Sequence, residues 1–142
     1  MIGLPRQAAI SKSESTVLSA SFDRAFTAVI GAEGGYTNDR NDPGNWTGGK
    51  VGSGQLKGTK YGISAASFPT LDIANLTIDQ AKAIYAYDYW APIGCESLDP
   101  DVALVLFDCA VNQGVRAAAT ILQASVGVAQ DGWVGPVTLA AA

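Results

Sequence analysis

Apolar residues at Phe22, Ala25, Phe26, Val29 and Ile30 recur at i, i+3, i+4, i+7 and i+8, the stripe of an amphipathic helix. Ser21 stands before them as an N-cap and Asp23 falls in the first turn, both favourable at a helix start. Gly34-Gly35 is where that helix is expected to end. From Asp39 to Gly58 the periodicity disappears, and Gly44, Gly48, Gly49, Gly52, Gly54 and Gly58 crowd the segment. A long loop or a small twisted hairpin is expected there, with Thr59–Ile63 leaving it as a short strand. Helical signals then return. Thr77 and Gln80 form a T-x-x-Q capping box, and the helix behind it should run to about Tyr89, ahead of Pro92. Asp99-Pro100 sets an N-cap with proline at the first helical position, opening a helix to about Gln113 with Gly114 behind it. The run Val102–Phe107 is apolar on all sides, which predicts a central, buried helix. Another helix is expected over Val115–Val126, and Pro136 begins a last one. The pattern predicts a mainly α fold: about five helices around a central buried helix, with a small glycine-rich loop or β-hairpin region.

Composition narrows the function classes. A chain of 142 residues with 48% apolar and 15% charged residues builds one real core and is not a disordered chain. Its apolar runs are too short to span a membrane. Residues 1–20 carry Ser11, Ser13, Ser15 and Ser19 interleaved with Lys12 and Glu14. They read as an arm, and they lack the apolar stretch of a secretory signal. The expectation is a cytoplasmic protein until release, or a virion-associated one. The net charge of -4 disfavours a nucleic-acid partner. It also removes long-range attraction to an anionic surface. The chain has no histidine, which removes Ser-His-Asp and Cys-His triads and histidine-dependent zinc hydrolases. Two cysteines, Cys95 and Cys109, cannot make a zinc site alone. Any catalysis is left to carboxylates, hydroxyls, lysine or a thiol, with no cofactor or metal called for.

Glu33 stands eleven residues after Phe22 and seven after Phe26. On a continuous helix it would lie within about 20° of both, at the end of the apolar stripe. Burial and the helix C-terminus would both raise its pKa, which suits a general acid. A second carboxylate follows in Asp42, with Asp39 in reserve. Asp42-Pro43-Gly44 is also a common turn, in which the aspartate caps backbone amides. Asp108 and Asn112 stand one turn apart on the apolar helix, with Gln113 adjacent. They either line a cleft or form a network that anchors the glycine-rich loop. Tyr36 and Trp46 flank that loop, whereas Tyr85, Tyr87, Tyr89 and Trp90 are spaced as core residues. Cys109 within the apolar helix reads as a packed free thiol.

The ordered series Glu33-Gly34-Gly35-Tyr36, Asn41-Asp42-Pro43-Gly44 and Thr59-Lys60-Tyr61-Gly62-Ile63-Ser64 resembles the catalytic region of glycoside hydrolase family 108. These are lysozyme-like N-acetylmuramidases of phages and bacteria. Phe107–Gly114 resembles that family's central helix, and Asp131–Thr138 its C-terminal peptidoglycan-binding segment. The likeness implies a lysozyme-like fold and three regions. These are an arm over 1–20, a catalytic region over 21–114, and a shortened helical peptidoglycan-binding segment over 115–142. It implies cleavage of the β-1,4 bond between N-acetylmuramic acid and N-acetylglucosamine, with Glu33 as catalytic acid and Asp42 as second carboxylate. Tyr36, Thr59, Tyr61, Asp108, Asn112 and Gln113 would contact substrate. Residues Asn45 to Lys57 look like an insertion relative to the family's compact pattern, so that either Thr47 or Thr59 faces the cleft. The implied partner is the peptidoglycan glycan strand on the periplasmic side of the cell. The arm would engage a phage virion or tail, or a secretion machine. The alternative is a non-catalytic module that keeps the fold, either to bind peptidoglycan or as a structural part of a virion or secretion apparatus.

Overall fold

The computed structural model describes residues 18–31 and 35–142. The sequence readings on the first seventeen residues and on Ala32, Glu33 and Gly34 lie outside them. The chain divides into two compact units, one containing Ile30–Ile84 and the other containing Tyr85–Ala142 with the segment up to Val29. The described residues are mainly helical, with one two-stranded antiparallel sheet. No helix among them is long and apolar enough to cross a membrane.

In the helical unit, α1 spans Ala20–Val29 and buries Phe22, Ala25 and Phe26, the expected stripe. Its cap is Ser19 and not Ser21: the Ser19 hydroxyl accepts the Phe22 N–H at 3.1 Å. Ser21 points inward, and its hydroxyl has no partner among the described residues. The helix also stops earlier than expected. Gly31 adopts φ +83°, so a left-handed residue ends α1 before the Gly34-Gly35 pair.

The capping box forms as predicted. Thr77 N–H donates to Gln80 Oε1 at 2.9 Å, and Gln80 N–H donates to Thr77 Oγ1 at 3.2 Å. Helix α2, Ile78–Tyr85, does not stop before Pro92. It continues as a π turn over Ala86–Trp90 and a final α turn over Ala91–Ile93. The Ala91 N–H reaches back to Ala86 O. That wider register makes room for a proline ring, which an ordinary helix interior rejects. Gly94, at φ +71°, closes the element.

Helix α3, Pro100–Gln113, starts as expected, with Asp99 Oδ1 accepting the Asp101 and Val102 N–H groups. It packs on α1 and on α4, Val115–Val126. Its burial is one-sided: Ala103, Leu106, Phe107 and Ala110 are buried, whereas Val105 is 64% exposed and Val102 44%. The all-round apolar pattern overstated how enclosed the helix is. Phe107 lies in an aromatic cluster with Phe22, Trp90 and Tyr85, at ring separations of 5.9, 5.7 and 6.2 Å. Near-perpendicular rings at such distances are favourable beyond their burial. Burial, with Tyr89 beside it, raises the Tyr85 hydroxyl pKa. Tyr85 and Trp90 are thus core, whereas Tyr87, expected with them, is exposed and Tyr89 is half-buried, because the helix turns Tyr87 away from the aromatic cluster and sets Tyr89 at its edge, beside Tyr85.

The last helix, α5 (Pro136–Ala141), is held through Gln123 on α4. Gln123 is 1% exposed. Its amide donates to Asp131 Oδ1, Trp133 O and Thr138 Oγ1, and its carbonyl accepts the Gly132 N–H. The Trp133 N–H and the Gln123 amide hold the Asp131 carboxyl below its usual range.

In the other unit, strands β1 (Thr59–Lys60) and β2 (Ile63–Ser64) pair antiparallel, Thr59 opposite Ser64 and Lys60 opposite Ile63. The expected single strand over Thr59–Ile63 is therefore a hairpin. Tyr61 and Gly62 are its turn, at φ +52° and +74°, the two positive values of a type I′ connection. Ile63, Ala65, Phe68, Leu71, Ile73 and Leu76 form the apolar floor of this unit.

Candidate functional site

The acidic turn after Tyr36 is tightly determined. Asp39 Oδ1 accepts the Asn41 N–H at 2.9 Å, and the Asp42 N–H donates to Asp39 O. Asp42 then caps a single 3-10 turn over Pro43–Asn45, its Oδ1 accepting the Gly44 N–H at 2.8 Å. The capping role expected of an Asp-Pro-Gly turn is real, and the Asp42 side chain stays exposed while performing it.

The next residue organises the site. Asn45 is fully buried. Its Nδ2 donates to Asp39 O at 3.0 Å, and its Oδ1 accepts from the Thr59 hydroxyl at 2.7 Å. Its backbone carbonyl accepts the N–H groups of both Lys57 and Gly58, and its own N–H donates to Asp42 O. One buried amide thus ties the Asp39–Asp42 turn to the start of β1. Thr59 is fixed a second time by Thr37, with which it exchanges backbone bonds of 2.9 and 2.8 Å. A hydroxyl has one proton. With that proton on Asn45, Thr59 Oγ1 can only accept from anything bound before it, such as a water molecule.

The segment from Trp46 to Leu56 is a narrow antiparallel ribbon rising from this hub. Trp46 pairs with Leu56, Thr47 N–H donates to Gln55 O and Gly48 N–H to Ser53 O. The Thr47 hydroxyl accepts the Gln55 N–H at 2.8 Å. Thr47 therefore closes the ribbon, while Thr59 joins the Asp39–Asp42 turn. Glycine is required at Gly48 and Gly54, where a Cβ would collide with Ser53 and with Thr47.

Two tyrosines frame the hub. The Tyr36 hydroxyl donates to Lys57 O at 3.0 Å, and its ring lies against Gly58, where a Cβ would strike it. Tyr61 holds a left-handed backbone that costs a non-glycine residue about 1–2 kcal/mol, with the Lys60 ammonium 5.5 Å from its ring centroid. Tyr61→Asn, which suits a type I′ turn, is expected to raise stability by about 0.5–1 kcal/mol. The same change should lower activity several-fold. Chemical unfolding and a lysis assay on one preparation would show both; unchanged activity would make the ring dispensable.

The structure joins Tyr36, Asp42 and Thr59 through Asn45, and Tyr61 follows Thr59 on the same hairpin. Asp108, Asn112 and Gln113 lie together on α3 of the helical unit, all exposed. The Asn112 amide donates to Asp108 Oδ1 at 2.8 Å and to Asp108 O at 2.9 Å, which spends its donors within its own helix. Cys95 and Cys109 are free thiols. Burial, with Glu96 beside it, pushes the Cys95 thiol up to about 12, so it is no nucleophile at neutral pH. No cluster of three or more metal-ligating side chains occurs among the described residues.

The sequence profile of glycosyl hydrolase 108 matches residues 26–114. The chain belongs to glycosyl hydrolase family 108. That match takes in Glu33, the Asn45 hub, the ribbon and α3. The solved structure of Brucella abortus SagA is similar to this family 108 chain at 32% identity and a TM-score of 0.64. The similarity covers 85% of this chain and 67% of that one. No curated protein matches the chain. Sequence reading missed Asn45 as the organiser. Its only signal was its place beside the Asp-Pro-Gly turn, since its partners lie as far as fourteen residues away.

Proposed function

We propose that this family 108 glycoside hydrolase cleaves peptidoglycan at the β-1,4 bond between N-acetylmuramic acid and N-acetylglucosamine. Glu33 acts as general acid. The observation that carries this reading is the buried Asn45, which fixes a carboxylate-bearing turn and an accepting hydroxyl within the span matched by a glycoside hydrolase family. In this reading Glu33 protonates the leaving glycosidic oxygen as positive charge develops on the sugar. The Asp42 carboxylate stabilises that charge or takes a proton from water. Thr59 Oγ1, with its own proton committed, accepts from that water and orients it. Tyr36 and Tyr61 offer ring faces to the sugar. The chemistry is acid–base throughout.

Clearing of a suspension of purified cell walls tests the reading, and the two loop aspartates make the comparison specific. Both cap backbone N–H groups, and asparagine retains a capping oxygen, so either Asp→Asn change should leave the turn folded. Asp42→Asn is expected to slow clearing about tenfold or more, and Asp39→Asn by less than about twofold. Equal, small effects would place the second catalytic group elsewhere.

A further inference from the structure

The ribbon tip carries a basic side chain that makes no bond to another of the described residues. Among the described residues, the other basic side chains turn to partners of their own. Arg24 bonds Asp101 at 2.7 Å, and Arg40 lies over the Trp46 ring. Lys57 and Lys60 donate to the carbonyls of Pro69 and Ala74. Arg116 flanks Asp131, and Lys82 also has a partner. Lys50 is exposed at the turn of the ribbon, where only its backbone carbonyl is engaged, by the Ser53 N–H at 2.9 Å. Beside it Val51 is 56% exposed. The tip is built from two tight turns, closed by the Gly49 N–H on Trp46 O and the Ser53 N–H on Lys50 O, and lies five residues along the chain from Asn45.

We propose that Lys50 and Val51 form a docking point for the carboxylate-bearing peptide stems of the wall glycan. The ammonium pairs with a stem carboxylate, and the valine covers the stem's alkyl side chains. This assignment rests on the reading of the chain as a peptidoglycan hydrolase. Three properties favour a peptide stem over bare sugar. The tip offers a point positive charge and a branched aliphatic group, and no aromatic face on which a sugar ring would stack. The ribbon is narrow and closed by backbone bonds, so the cation is held out with little freedom in its backbone. The chain as a whole is acidic, at -4, so attraction to an anionic wall must come from a local charge. Binding energy gathered at the tip holds the strand while the sugars react at the hub.

The test compares stem-bearing glycan strands with strands stripped of their stems by an amidase. With the full chain, Lys50→Glu is expected to raise KM on stem-bearing strands roughly three- to tenfold, leaving kcat unchanged. Lys50→Arg should restore it, and added salt should shrink the difference. On stripped strands all three proteins should behave alike. An equal effect on both substrates, or none on either, overturns the proposal. Co-sedimentation with stem-bearing and stripped walls gives a readout that does not need turnover. If the wild type cuts neither substrate, the hydrolase reading fails. A charge-dependent preference for stem-bearing walls would then still support the tip as a binding site, and its absence would overturn it.

Discussion

Replacing Glu33 by glutamine is expected to reduce wall clearing by about 10²–10⁴-fold, the usual contribution of a positioned general acid. Glutamine keeps the shape and a hydrogen-bonding amide but cannot deliver a proton to the departing sugar oxygen. The thermal unfolding midpoint should stay within a few degrees of wild type, and retention on purified walls should persist. Loss of clearing with retained binding is the signature of a missing chemical step, as distinct from a damaged fold. Clearing within a few-fold of wild type would remove Glu33 from the mechanism and leave a wall-binding module as the better description.

The second large effect is at Asn45. Truncation to alanine strips Asp39 O of its side-chain donor and Thr59 of its acceptor in a fully buried position. The variant loses two side-chain hydrogen bonds, each worth about 0.5–1.5 kcal/mol, together with the packing of a fully buried side chain, so Asn45→Ala should destabilise by about 2–4 kcal/mol. Activity should fall further than the unfolded fraction explains, because the Asp39–Asp42 turn and Thr59 lose their common anchor. Thr59→Val removes only the hydroxyl and should cost about 1–2 kcal/mol. The two changes share one bond, so the double variant should lose less than the sum of the singles, by about 1 kcal/mol. Urea unfolding of the four proteins measures this. Strict additivity would mean that the 2.7 Å bond carries no coupling.

How much was legible in the sequence follows from how local each determinant is. The Thr77–Gln80 box and the Asp99-Pro100 start with its Gly114 stop are set by neighbours within four residues, and all appear where the pattern puts them. The start of α1 was ambiguous because Ser19 and Ser21 can each cap. Ser19 wins because its hydroxyl also donates to Glu96, far along the chain. The end of α1 was misplaced because Gly31, Gly34 and Gly35 are all able to stop a helix, and the first of them takes the left-handed conformation. Pro92 read as a terminator because the pattern carries no sign of a π turn. The hairpin character of the glycine-rich stretch was visible, but the role of Asn45 was not. Its burial comes from Asp39 and Thr59 converging from either side, and no periodicity announces such a meeting. On α3, an unbroken apolar run could not distinguish a fully enclosed helix from one that leaves Val102 and Val105 exposed.

The most direct test of the central claim is the identity of the ends released from purified peptidoglycan. Digest the walls with the full chain, reduce the products with borohydride and identify the reduced sugar by mass spectrometry. A muramidase leaves every new reducing end on N-acetylmuramic acid, with the peptide stems still attached, and the Glu33→Gln protein releases none. New reducing ends on N-acetylglucosamine, or wall clearing without new reducing ends, would contradict the account.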